Sequence, residues 1–345
     1  MMARMGTVGR ATRITLVLAV ATVALSACSW RLETPSPSPL TPGAYERDRD
    51  AAAIAEARLV ASLGDARPAG PGGAWLASYE AQAAPAHLEA LGGVYVAHPR
   101  VAAPTPSATA GPAVGPSEFV RLAAFARDAE LEGALSCDDP DLALLLASIG
   151  LADAAAIARQ AERDAAFAGA DVTVSRDRIP PLPDGVAPAS LSPDATSLPE
   201  QTLENLISAH DYAAYVYEVI AARATGDMRG VAYSRGILHA SRAKALVALA
   251  ETDPRGPSYV VDRARLSDND TMAALAASIE ADIADLYIQA FGDVVKAGAP
   301  ADTLSERAWL LSSAYDALAD SLSWGDPAPD SVTAFPGVSV GTDTP

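Results

Sequence analysis

This chain of 345 residues is short of lysine, aromatics, cysteine and histidine, and each shortage excludes something. Lys244 and Lys296 are the only lysines, and 25 basic residues face 43 acidic ones for a net charge of −18. Affinity for a phosphate backbone comes mainly from clustered cations, and no basic run occurs, so nucleic acid is excluded as a partner. Aromatics make up 6% of a chain that is 50% hydrophobic, and alanine carries much of the apolar content. Alanine is the best helix former and is depleted in strands, so an all-α fold is expected. Cys28 and Cys137 are the only cysteines and could close at most one bridge, so no disulfide framework is expected, and Cys137 reads as a buried, inert thiol among apolar neighbours. The four histidines are His87, His98, His210 and His239, and none lies three residues after a glutamate. Two-metal sites in helix bundles use such Glu-x-x-His pairs, so no metal and no other cofactor is expected.

The amino terminus carries Arg4, Arg10 and Arg13 ahead of an uncharged apolar run from Ile14 to Leu25. The run is too short to span a bilayer and has the form of a secretory leader. Leu25-Ser26-Ala27-Cys28 resembles the lipobox of bacterial lipoproteins. That resemblance implies cleavage after residue 27, lipidation of Cys28 with palmitate-like acyl chains, and attachment to the outer face of the cytoplasmic membrane. An ordinary cleaved leader with an incidental Cys28 is the alternative. Residues 28–44 hold Thr34-Pro35-Ser36-Pro37-Ser38-Pro39, a stalk of polyproline character. Removing residues 1–27 takes three arginines and no acid, so the exported part is more acidic still. Adhesion to anionic lipid is disfavoured, which leaves Cys28 as the expected means of attachment.

Breakers divide the mature chain into a helical region at 45–176, a proline-rich linker at 177–197, a second helical region at 198–324 and a tail at 325–345. In the first region helices are expected over 46–63, 75–91 with a kink or split at Pro85, 117–135, and 140–167 behind the Asp139-Pro140 cap. In the second, Ser197-x-x-Glu200 and Thr303-x-x-Glu306 have the form of capping boxes. They start the first and fourth of four helices of about 22 to 30 residues, lengths suited to an antiparallel bundle.

Residues 198–338 resemble a ferritin-like domain family of unknown function found in exported proteins of high-GC Gram-positive bacteria. The matching stretches are His210-Asp211-Tyr212-Ala213-Ala214-Tyr215-Val216-Tyr217, His239 to Leu246, Ile279-Glu280 with Tyr287, Trp324, and Phe335-Pro336-Gly337. Ala209 departs from the family, which usually has glutamate just before the first histidine. The resemblance implies a ferritin-like four-helix bundle in the C-terminal half. The N-terminal helical region is open to being a second, degenerate bundle.

Helical spacing assigns inward stripes to Leu203, Leu206, His210, Ala214 and Tyr217; to Val231, Arg235, Leu238, Arg242, Ala245 and Leu249; and to Glu280, Ala284, Tyr287, Phe291 and Val294. A buried polar cluster of His210, Tyr217, Arg235, His239, Arg242 and Glu280 is therefore expected, with Arg242 paired to Glu280 where a metal would otherwise sit. The alternative is a metal site of irregular ligands, Glu204, His210, Asp211, His239 and Glu280. Gly337-x-Ser339-x-Gly341 mimics a nucleophile elbow, but every histidine lies upstream, so no catalytic role is expected there. The resulting expectation is a membrane-anchored envelope lipoprotein with a non-catalytic bundle for binding, scaffolding or assembly, and an envelope protein as partner. A metal-dependent oxidoreductase and a small-ligand carrier are the competing readings.

Overall fold

The computed structural model describes residues 41–63, 73–96, 115–163, 191–193, 195–298 and 303–339. The leader, Cys28, the stalk, His98 and most of the linker at 177–197 lie outside the described residues. Those described form eight α-helices and no strand: α1 (Ala44–Ser62), α2 (Ala74–Ala90), α3 (Pro116–Ser136), α4 (Pro140–Arg163), α5 (Glu200–Arg223), α6 (Asp227–Val247), α7 (Asn269–Lys296) and α8 (Thr303–Gly325). The fold is all-α, as alanine content and helical periodicity predict.

Local chemistry sets several boundaries. Asp139 Oδ1 accepts from the Leu142 amide at 2.9 Å and starts α4. Asp268 and Thr271 close a reciprocal capping box at α7, so the Asn269-x-Thr271 sequence serves helix initiation. Gly226, at φ +62°, turns α5 into α6 in a backbone conformation that side chains disfavour. Pro85 lies inside α2, which runs without a break. The capping box expected at residue 197 is not made as such. Pro199 occupies the N-cap of α5, and Ser197 instead donates through N and Oγ to Glu306, at 3.0 and 2.6 Å. Glu306 thus fastens the chain entering α5 to α8.

Helices α1 to α4 form one four-helix group: α1 packs on α2 and α3, and α4 on α3 and α2. Helices α5 to α8 repeat the pattern, with hairpins α5–α6 and α7–α8 joined through α5 against α7. In each group a long connection, residues 91–115 or 248–268, separates the two hairpins. Helix α4 packs against α7 and α8 as well as its own group, and the eight helices belong to one compact unit. It is apolar and long enough to cross a bilayer by composition, but it is mostly buried, as a core helix is. Cys137, at the α3–α4 junction, is a free, buried thiol whose pKa burial raises.

Candidate metal centre

Each helix of the N-terminal group carries a buried acid. Glu56 on α1, Glu80 on α2, Glu130 on α3 and Asp153 on α4 are all 0% exposed, and so is His87, two turns after Glu80 on the same face of α2. His87 Nδ1 lies 2.8 Å from Glu56 Oε1 and 3.7 Å from Asp153 Oδ1. The ligand atoms of Glu56, His87 and Asp153 all fall within 4.8 Å of one another. His87 Nε2 donates to the Ala334 carbonyl at 3.0 Å, which turns Nδ1 toward the acids.

These acids lack the partners that burial normally demands. No N–H or hydroxyl donor reaches either carboxyl oxygen of Glu80, Glu130 or Asp153, or Glu56 Oε2; the Glu56 and Glu130 carboxyls meet each other, and the Tyr79 hydroxyl beside them has no partner. Burying a carboxylate unpaired is costly, so such groups take up protons or bind cations. Burial, then the charges of Asp153 and Glu56, push Glu80 well above the usual carboxylate range. Glu130 rises for the same reasons and through contact with the Glu56 carboxyl. Asp153 is pushed up to about 8, chiefly by burial, against the lowering effect of His87. Burial alone would lower the His87 pKa, but Asp153 and Glu56 outweigh it, and the net shift is upward. The charge of Arg127 reaches Asp153 and lowers it, but the hydrogen bonds of its guanidinium go to Asp128, at 2.6 and 2.9 Å.

The C-terminal group solves the same problem differently. His210, Tyr217, Arg235, His239, Arg242 and Glu280 are all buried and come together. Glu280 accepts from Tyr217 Oη at 2.7 Å, from His239 Nε2 at 2.9 Å, and from Arg235 through Nε and Nη2, both at 2.7 Å. The pairing differs from the one expected. Arg235 grips Glu280, while Arg242 Nη1 lies 3.0 Å from Asp316 Oδ2. Helix α6 also turns differently from the expected stripe: its inward residues are Ala232, Arg235, Gly236, His239, Arg242, Ala243 and Leu246, whereas Val231 is 54% exposed. Gly236 permits this rotation, since a Cβ there would stand 3.2 Å from Tyr217 Cβ.

A directed hydrogen-bond chain follows. His239 donates to Glu280 through Nε2, so its Nδ1 accepts from His210 Nδ1 at 2.8 Å, and His210 Nε2 accepts from Tyr287 Oη at 2.6 Å. Both histidines are neutral in this arrangement. Burial first, then His239 and Arg242, hold the His210 pKa well below its usual value. Burial lowers His239 too, against the pull of Glu280. Burial would raise Glu280, but Arg235 and His239 hold it well below the carboxylate range.

Metal does not fit this second centre. Both oxygens of Glu280 and both rings' nitrogens are engaged, and two guanidiniums occupy the volume. Of the alternative ligands, Glu204 bonds Thr252 and Asp211 accepts from Tyr259 at 2.6 Å, both away from His210, His239 and Glu280. A groove of about 520 Å³ beside α6 and α8 has Arg235, Asp316 and Asp320 in its lining, so it is charged rather than a lipid-like pocket.

The N-terminal cluster was not singled out from sequence. Its histidine follows Glu80 by seven residues instead of three, and its acids lie one per helix. One signal was present: Asp153 is the sole charge in the apolar run 142–158. No family model, curated protein or solved structure matches this chain.

Proposed function

We propose that this chain is an exported, lipid-anchored protein built from two ferritin-like bundles, the first of which binds divalent metal of the iron or manganese class. The carrying observation is the ring of four fully buried acids with His87, whose carboxyl oxygens are almost all without a hydrogen-bond donor. Glu56, Glu80, His87, Glu130 and Asp153 would hold the metal. A donor set of carboxylates with one imidazole suits iron or manganese better than thiolate-seeking metals. Four carboxylates also balance the charge of two divalent ions. Bound metal of this class supplies one-electron or Lewis-acid chemistry.

Purified protein, stripped with chelator and equilibrated with manganese(II) or with iron(II) under anaerobic conditions, tests the reading. About two metal ions per chain are expected after desalting, with a raised melting temperature. Recovery of metal-free protein from both solutions overturns it. The C-terminal bundle, with Glu280, His210 and His239 saturated internally, is read as a non-catalytic scaffold for assembly or for an envelope partner.

A further inference from the structure

The segment that follows α8 crosses back over the N-terminal bundle. The Pro327 carbonyl accepts from Trp75 Nε1 at 3.1 Å, and the Pro336 carbonyl accepts from the buried Ser148 Oγ on α4 at 2.7 Å. Between these anchors the Ala334 carbonyl accepts a hydrogen bond from His87 Nε2, and the Phe335 ring meets the His87 ring edge-on, with centroids 5.3 Å apart at 76°. Gly337, at φ +70°, then packs so closely on α7 that a Cβ would stand 2.8 Å from Ile288. The strap is therefore fixed at both ends, and its middle holds the one imidazole of the acidic cluster.

We propose that residues 327–337 are a positioning element of the metal centre, with Ala334 fixing which nitrogen of His87 faces the acids and Phe335 fixing the ring plane. This inference rests on the metal reading above. A ligand histidine is oriented by what its other nitrogen bonds, and loss of such a partner commonly costs about 10- to 100-fold in metal affinity. Because binding linkage is reciprocal, metal in the centre must tighten the strap by the same factor that the strap tightens metal. A carboxy-terminal segment, distant in sequence from all five ligands, thereby reports on their occupancy.

The test compares full-length protein with Phe335→Ala and Ser148→Ala, neither of which is a ligand. Manganese(II) titration followed by electron paramagnetic resonance is expected to show affinity weakened about 10-fold in both. Manganese is expected to slow proteolysis within residues 327–337 of the unaltered chain. In metal-free, nitrogen-15-labelled protein, the His87 Nε2–H signal is expected to exchange slowly in the unaltered chain and fast in the variants. Unchanged affinity in both variants, with an unchanged His87 signal, overturns the inference. If the unaltered chain takes up neither manganese nor iron, the metal reading fails, and the His87 exchange comparison still decides whether the strap fixes the ring.

Discussion

Arg235 holds Glu280 through two parallel hydrogen bonds of 2.7 Å, one from Nε to Oε1 and one from Nη2 to Oε2. The same guanidinium meets Asp316 and Asp320, each at 3.0 Å, so one cation on α6 joins carboxylates of α7 and α8. Helices α6 and α8 share few direct contacts, which makes this bridge the main polar link between them. Among the described residues, no guanidinium is hydrogen-bonded to the buried acids of the other bundle.

Removing that cation leaves Glu280 charged and buried. Arg235→Ala is expected to destabilise the protein by about 3 to 5 kcal/mol in urea unfolding, the cost of breaking a buried pair from one side. Arg242→Ala is expected to cost less, under about 2 kcal/mol, because its partner Asp316 is 34% exposed and solvent screens the pair. Equal losses would mean that Arg242 also supports Glu280.

The neutral histidines give the C-terminal bundle an acid sensitivity. The folded-state pKa values of His210 and His239 lie below those of the unfolded chain. Below about pH 6.5 the unfolded state binds more protons, so this contribution to stability falls as pH falls. Glu280, depressed in the fold, contributes fully above about pH 4.3 and is lost only as pH drops further toward its folded value. The raised carboxyls of the N-terminal cluster act in the opposite sense, so the useful quantity is the difference between the unaltered chain and His210→Gln. Between pH 6 and 5 the variant is expected to lose about 1 kcal/mol less per pH unit. Parallel curves would show that His210 does not carry the effect.

In the acidic cluster a single substitution should have two opposite consequences. Glu80→Gln removes one of several crowded buried acids, so the metal-free protein is expected to gain about 1 to 2 kcal/mol. The same change deletes a ligand and is expected to abolish most of the thermal stabilisation by manganese. A variant that is destabilised without metal would show that Glu80 is satisfied in the fold.

Gly150 sits where α4 crosses α3. A Cβ there would lie 2.9 Å from Leu131 Cγ and 3.1 Å from Glu130 Cβ. Gly150→Ala is expected to cost about 1 to 3 kcal/mol by overpacking and to weaken metal uptake by displacing Glu130. Chemical denaturation and metal analysis on the same preparation measure both effects.

The proposed anchor has a simple assay. Cys28→Ser is expected to shift the protein from the membrane fraction to the soluble exported fraction, because a polybasic substitute for the lipid is absent. Retention at the membrane would point to a partner protein as the tether.

The seams of α5 and α7 were legible because large residues mark them: Leu203, Leu206, His210 and Tyr217 on one, Glu280, Tyr287 and Phe291 on the other, are all buried. Helix α6 misleads the same method. It turns Ala232, Gly236 and Ala243 inward so that it can approach α5 closely, and leaves Tyr233 and Ile237 at 62% and 51% exposure. Hydrophobicity ranks the large residues above the small ones, so the apparent stripe rotates away from the packed one. The acidic ring was hidden for another reason. An isolated glutamate on each of several helices looks like surface charge until the helices are assembled, and only then do Glu56, Glu80, Glu130 and Asp153 face one another.

Helix α4 gives the two bundles a party wall. One side presents Asp153 to the acidic ring, while Leu144 on the same helix lies against Gly292 of α7, 3.3 Å from where a Cβ would be. A slide or roll of α4 that reshapes the ring must also move Leu144 over α7. The halves are geared together through that one helix.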